Sequence, residues 1–86
     1  MSNALPPGKF WRDKAGLHVD TRGLAPPEPA VAIIWHMEQA NEQGPIHAYL
    51  ERRPVYLFPE LSERGWIWEI VKDQGNDVQL ILRADK

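Results

Sequence analysis

The stretch that decides the fold reads DTRGLAPPEP over residues 20–29 and continues as AVAIIWHMEQA over residues 30–40. Prolines are tolerated in the first turn of a helix, where their missing N–H would have no partner, and Glu28 suits the positive end of the helix dipole. An apolar stripe then recurs at helical spacing, formed by Ala30, Ile33, Ile34, Met37 and Ala40. The sequence therefore predicts a helix that begins at these prolines and stops at Gly44-Pro45.

Strand patterns lie on both sides of this helix. Four segments either alternate apolar with polar residues or are rich in β-branched and aromatic residues, and both features are typical of strands. They are LHVD at 17–20, IHAYLE at 46–51, WIWEIV at 66–71 and VQLILR at 78–83. A short second helix is predicted before residue 66, with Pro59 in its first turn and Gly65 after its end. The order βαβαββ predicts an α+β two-layer sandwich, with a four-stranded mixed sheet and two helices on one face.

Alternation within the strands assigns side chains to two sheet faces. Trp66, Trp68 and Ile70 share the face toward the helices, whereas His18 and His47 fall on the open face. These two histidines are weak candidates for a metal pair, but zinc normally takes four ligands, so no metal is assigned. His36 lies opposite the apolar stripe of the first helix, and we expect it to face solvent.

Residues 1–14 have the character of a flexible N-terminal tail, and residues 15–86 form the domain. The tail segment contains Pro6, Pro7 and Gly8 and several charged residues. Its large aromatic residues are Phe10 and Trp11, and the alternative is that these two fold back onto the domain. Trp11 is also a candidate for an interface, because aromatic residues dominate binding hot spots.

Composition excludes several classes of function. The 86 residues carry a formal net charge of −2, which gives no basic stripe for nucleic acid, and no apolar run approaches the roughly 20 residues of a membrane span. The absence of cysteine excludes disulfides, thiolate nucleophiles and sulfur-based metal sites. Together with an N-terminus that lacks a signal-like apolar segment, this composition favours a cytoplasmic location. We expect no enzyme activity and no cofactor.

Residues 20–29 resemble the signature of the TusA/SirA-like sulfur-carrier superfamily, which has an aspartate, an Arg-Gly-Leu turn and a Cys-Pro-x-Pro motif that opens a helix. The βαβαββ order agrees with this resemblance over about residues 15 to 84. Segments 53–57, 59–61 and 63–65 resemble more closely a cysteine-free, uncharacterised-domain branch of the superfamily. Some relatives of that branch are joined to hemerythrin-like domains.

The main departure from the carriers is Pro26, which stands where they have cysteine. Their thiolate can take a persulfide because the helix dipole lowers its pKa, whereas proline has no nucleophile. The resemblance leaves a structural motif, made of Asp20, Gly23, Pro27 and Pro29. Arg22 is expected to brace the turn; the alternative is that it holds an anion at the helix start, where the prolines lack N–H donors.

These observations predict a non-catalytic binding or accessory domain that recognises a protein partner or a second copy of itself. The predicted binding residues are Arg22, Pro26, Glu28, Trp35 and Arg53. The alternative is a sensor domain that binds a small ligand or a metal in redox or nitrogen-oxide metabolism. That alternative rests on the hemerythrin-linked relatives and on no residue of this chain.

Overall fold

Five strands and two helices follow one another along residues 5–85, which are the part of the chain that the computed structural model describes. In chain order the elements are β1 (Lys9–Asp13), β2 (Gly16–Asp20), α1 (Glu28–Met37), β3 (Ile46–Leu50), α2 (Leu57–Glu63), β4 (Trp66–Gln74) and β5 (Asp77–Ala84). The α+β class and the two helices are therefore confirmed. Neither helix in these residues has the length and apolar character that crossing a membrane requires.

The strands form one mixed sheet in the order β1-β2-β3-β5-β4. β2 and β3 run parallel on either side of the α1 connection, and the other neighbouring pairs are antiparallel. Ile33 of α1 and Leu57 of α2 are both fully buried in one apolar cluster with Val19, Ala48 and Leu80 of the sheet. The two helices therefore share one sheet face, and no described element covers the other.

The predicted strand count of four is wrong, because residues 9–13 form a fifth strand. Sequence analysis assigns this segment to a tail, yet all of Lys9–Asp13 pairs antiparallel with β2. Trp11 stacks on His18 across the open face, and Phe10 packs against His36 of α1. Packing of the two aromatic residues on opposite sides of the sheet thus orders a segment whose charged residues obscure the alternation. Residues 1–4 of the predicted tail lie outside the described residues.

Helix α1 begins at the predicted prolines but ends before the apolar stripe does. Glu28 is its first residue and Met37 its last. Asn41 takes a left-handed backbone conformation with φ of 68°, which leaves the path of the helix. Residues 38–41 form a turn after the helix, and Ala40 is exposed instead of packed on the sheet.

His36 is buried, with 3% of its surface exposed, so the expectation that it faces solvent is wrong. The reason is the fifth strand. β1 extends the sheet beneath a side of α1 that a four-stranded sheet would leave exposed to solvent. The ring of Phe10, on β1, covers His36 there, with 4.6 Å between the ring centroids.

Strand β4 follows the predicted alternation only in its first half. Trp66 is buried, and Trp68 stacks on Phe58 with 4.8 Å between the ring centroids. A β-bulge between Ile70 and Lys72 shifts the register. Ile70, which is expected in the core, is exposed on this edge strand.

Candidate functional site

The turn between β2 and α1 is held by a double contact between Asp20 and Arg22. Two guanidinium nitrogens of Arg22 donate to the two carboxylate oxygens of Asp20 over 2.9 and 2.8 Å. These hydrogen bonds lower the pKa of Asp20. Gly23 follows with φ of 89°, a left-handed conformation that glycine adopts without steric cost. Arg22 therefore braces this turn, and the donors that it gives to Asp20 are not free for an anion.

Pro26 lies at the entrance of α1, two residues before Glu28. The cavity beside it has a volume of about 40 Å³ and is lined by Thr21, Leu24, Pro26, Pro29, Leu50, Glu51, Arg52, Pro54 and Tyr56. Because one water molecule needs roughly 10–15 Å³ of such a cavity, this one has room for about three water molecules and is too small for a metabolite. The hydroxyl of Thr21 donates to the carbonyl oxygen of Tyr49 over 2.8 Å, which already satisfies the buried polar group beneath it.

A larger apolar groove runs between α1 and α2, and we call it the helix groove. Its volume is about 520 Å³, and its lining residues are Pro27, Ala30, Val31, Ile34, Trp35, Glu38, Tyr56 and Glu60. Val31 and Tyr56 are each 50% exposed. Because Tyr56 also lines the small cavity beside Pro26, the groove and the entrance of α1 form one continuous surface.

The helix groove has an acidic rim, formed by Glu38 and Glu60, which line it. Neither α1 nor α2 contains a lysine or an arginine, whereas Glu28, Glu60 and Glu63 belong to them. Arg64 follows α2 and forms ion pairs with both Glu60 and Glu38, and the hydrogen bond that it donates to Glu60 is the main cause that raises the pKa of Arg64. This arginine is therefore engaged with the rim, and the surface of the helix layer stays acidic.

Only some of the predicted binding residues lie together at the helix groove. Trp35 lines the helix groove, Pro26 adjoins it, and Glu28 is exposed in the first turn of α1. Arg53 is engaged elsewhere, because its Nε donates to Asp73 Oδ2 on β4 over 3.0 Å. The contact ties the connection before α2 to the edge of the sheet, so Arg53 has a structural partner outside the groove.

The two strand histidines lie side by side on the open face, with 4.6 Å between the ring centroids. His18 Nε2 lies 3.0 Å from Asp13 Oδ1; since a carboxylate only accepts, this nitrogen carries the hydrogen. In the neutral ring, His18 Nδ1 then accepts from the Tyr49 hydroxyl at 2.7 Å, and His47 Nε2 contacts the carbonyl oxygen of Ala15. Within residues 5–85, no three His, Asp or Glu side chains are grouped as metal ligands would be.

Strand β1 adds Trp11 and Asp13 to the side chains around these histidines. Sequence reasoning names Trp11 as an aromatic residue that could fold back onto the domain or form an interface, and it misses Asp13. Asp13 accepts from the N–H of Ala15 and from His18, and these two hydrogen bonds lower its pKa. Burial raises the pKa of the Tyr49 hydroxyl, and the charge of Asp13 raises it further. No local signal marks β1, because Phe10 and Trp11 are adjacent and are flanked by charged residues, so apolar and polar residues do not alternate there.

A second cavity, also missed by sequence reasoning, lies between β1 and the end of α1. Its volume is about 350 Å³, and Phe10, Trp11, Arg12, Trp35, His36 and Glu42 are among its lining residues. Nε2 of His36 is buried without a hydrogen-bond partner in the described part of the chain. Burial lowers the pKa of His36, which favours its neutral form.

Comparison with known proteins gives one match. No curated protein and no solved structure shows significant similarity to the chain. A family model described as "Uncharacterized conserved protein (DUF2249)" matches residues 18–83, which run from the middle of β2 almost to the end of β5. Because this match covers well over half of the chain, the protein belongs to the DUF2249 family.

Proposed function

We propose that the protein is a non-catalytic binding domain that recognises a segment of a partner protein in the helix groove. The observation that carries this proposal is the groove itself, which is apolar, has a volume of about 520 Å³ and is covered by no described part of the chain. Exposed apolar patches on small domains mark interaction sites, and aromatic residues such as Trp35 and Tyr56 are enriched among the residues that dominate binding energy.

The charge of the helix layer specifies the chemistry of the partner. Arg64 neutralises only part of the charge of Glu38 and Glu60, and the helices add Glu28 and Glu63. The rim therefore favours a segment that carries lysine or arginine beside its apolar residues. A segment with aliphatic residues at helical spacing fits a groove between two helices, because such grooves bind the apolar face of a third. The proposed occupant is therefore an amphipathic, basic helix of another protein.

The proposal includes descent from the TusA/SirA-like scaffold without sulfur-carrier chemistry. It is supported by the position of Pro26 at the entrance of α1, since a proline there has no nucleophile and the chain contains no cysteine. A cytoplasmic location belongs to the same proposal.

The test is a titration with a synthetic helical peptide that presents leucines on one face and lysines on the other, followed by amide NMR. We expect shifts at Val31, Trp35 and Tyr56, because these residues line the groove. A matched peptide with glutamates in place of lysines should bind much more weakly, since the rim repels it.

Two variants with equal changes in charge locate the binding surface. Val31→Glu places a carboxylate in the groove and should abolish binding of the lysine peptide. Ile67→Glu changes a comparably exposed residue of β4 on the open sheet face and should leave binding unchanged. Shifts confined to the open face, equal binding of the two peptides or no binding of either would refute the proposal.

A second candidate function is that of a small-ligand or metal sensor in redox or nitrogen-oxide metabolism. The observation that favours it is the cavity between β1 and α1, in which a buried histidine lacks a partner for Nε2. Native mass spectrometry of the protein with and without added zinc or iron tests the metal form of this function. An unchanged mass that corresponds to the bare chain argues against it.

A further inference from the structure

Strand β1 is an outer strand of the sheet, and all five of its residues are exposed. It pairs with β2 on one side, and no strand within residues 5–85 pairs with the other side. The outer edge of such a strand presents backbone N–H and C=O groups that another strand can pair with. β4, the strand at the opposite edge, has its regular edge interrupted by the bulge before Lys72.

Aromatic rings form a ladder that ends at β1. Trp11 stacks on His18 with 5.0 Å between centroids and 2° between planes, and His18 stacks on His47 at 4.6 Å and 15°. His18, the middle ring of the ladder, is buried, whereas Trp11 is 43% exposed. Since Trp11 lies on the edge strand, its outer face is open to a further ring at the next strand position.

The sequence of β1, KFWRD, is complementary to itself in an antiparallel pair centred on Trp11. In that register Trp11 faces Trp11 of the second copy, and Lys9 faces Asp13 of the second copy. These three residues share the open face, as directly opposed residues of an antiparallel pair must. On the helix side, Phe10 faces Arg12 of the second copy, whose guanidinium donates to Glu42 of its own chain over 2.6 Å, so this pair adds no like-charge contact.

Neighbouring registers lack this complementarity. A pair centred on Arg12 would oppose two arginines, and a pair centred on Phe10 would leave Asp13 without its lysine. The structure also leaves Asp13 able to accept, because its contacts with His18 and Ala15 both use Oδ1. Oδ2 can therefore receive the lysine of a second copy.

We propose that a second copy of the chain binds at β1, antiparallel and centred on Trp11, to give a twofold-symmetric dimer with a continuous ten-stranded sheet. Twofold symmetry makes each asymmetric pair occur twice, so the dimer contains two Lys9–Asp13 pairs. The ladder of rings then continues from His18 of one copy through both tryptophans to His18 of the other. This surface is separate from the helix groove, and the proposal does not rest on binding there.

The test is the mass of the protein in solution, measured by light scattering and sedimentation equilibrium over a range of concentrations. The unmodified chain should have twice the monomer mass. Lys9→Glu places like charges opposite each other and should give monomers, while it leaves the contacts of Asp13 within the chain intact. Lys14→Glu makes the same change in charge one residue beyond β1, where the register opposes it to Gly8, and should stay dimeric.

A mixing experiment tests the register. Lys9→Glu and Asp13→Lys should each be monomeric alone, but an equal mixture should form heterodimers, because opposite charges then meet at both pairs. Circular dichroism and amide NMR establish that each variant is folded. A monomeric unmodified chain, a dimer that survives both Lys9→Glu and Trp11→Thr, or a mixture of folded variants that stays monomeric would overturn the proposal.

Discussion

Phe10 covers the ring of His36 edge-on, with 4.6 Å between the two ring centroids. The contact joins β1 to the last turn of α1. It buries a side of the helix that the sequence predicts to face solvent. Nε2 of His36 lacks a partner in the described residues, and burial lowers the pKa of the ring. The neutral histidine is therefore the form that the folded chain tolerates.

We expect the stability of the protein to fall as the pH is lowered from about 6.5 to below the folded pKa of His36. Its folded pKa lies below the value of 6.5 in the unfolded chain, so the unfolded chain takes up the proton first. Its contribution to stability is complete above pH 6.5 and is lost as the pH falls through the folded pKa. The lowered pKa values of Asp13, Asp20 and Asp77 keep these groups charged throughout this window.

Urea unfolding at several pH values measures this effect. His36→Phe keeps an aromatic ring against Phe10 and should flatten the dependence of the free energy of unfolding on pH. His47→Phe, on the open face, should keep the slope that His36 causes. Equal slopes in the unmodified chain and in His36→Phe would contradict the assignment.

Gly44→Ala is expected to destabilise the fold by about 2–4 kcal/mol. Gly44 has φ of 88°, and a Cβ there would lie 2.6 Å from the carbonyl oxygen of Leu82 and 2.9 Å from Cα of Arg83. Gly75→Ala is the control, because φ there is 61° but nothing lies within 4 Å of the added carbon. It should cost only about 1 kcal/mol. Thermal and urea unfolding compare the two; equal losses would show that backbone conformation alone matters at Gly44.

Arg22→Gln should lower the free energy of unfolding by about 0.5–1 kcal/mol, since a partly exposed ion pair contributes little more. Binding of the lysine peptide to the helix groove should be unchanged, because Arg22 braces the turn and does not line the groove. Arg22→Lys should recover only part of the stability, since an ammonium cannot match the two-point contact. Loss of peptide binding by a stable Arg22→Gln protein would assign Arg22 to binding instead.

Local sequence patterns were sufficient for the elements whose signals are short-range. The prolines and Glu28 predict the start of α1, and the alternation around His18 and Tyr49 predicts two strands and a shared face. The turn residues at 73–77 predict the final hairpin, which the structure contains. The bulge at Ile70 and the early end of α1 were not predicted, because both depend on how the chain meets its neighbours.

Residue types and their spacing alone determine the α+β class and the mixed sheet. They also determine that α1 begins beside Pro26 and that the chain has no thiol chemistry. Tertiary structure alone decides that Lys9–Asp13 is a strand, that His36 is buried and that Asp13, His18 and Tyr49 share hydrogen bonds. The physical reason is that ordering residues 9–13 costs conformational entropy, which only the burial of Phe10 and Trp11 can offset. That burial requires partners that are distant in sequence and already in place. These partners are His36 of α1 and His18 of β2. No pattern within residues 9–13 indicates that they will lie beside this segment.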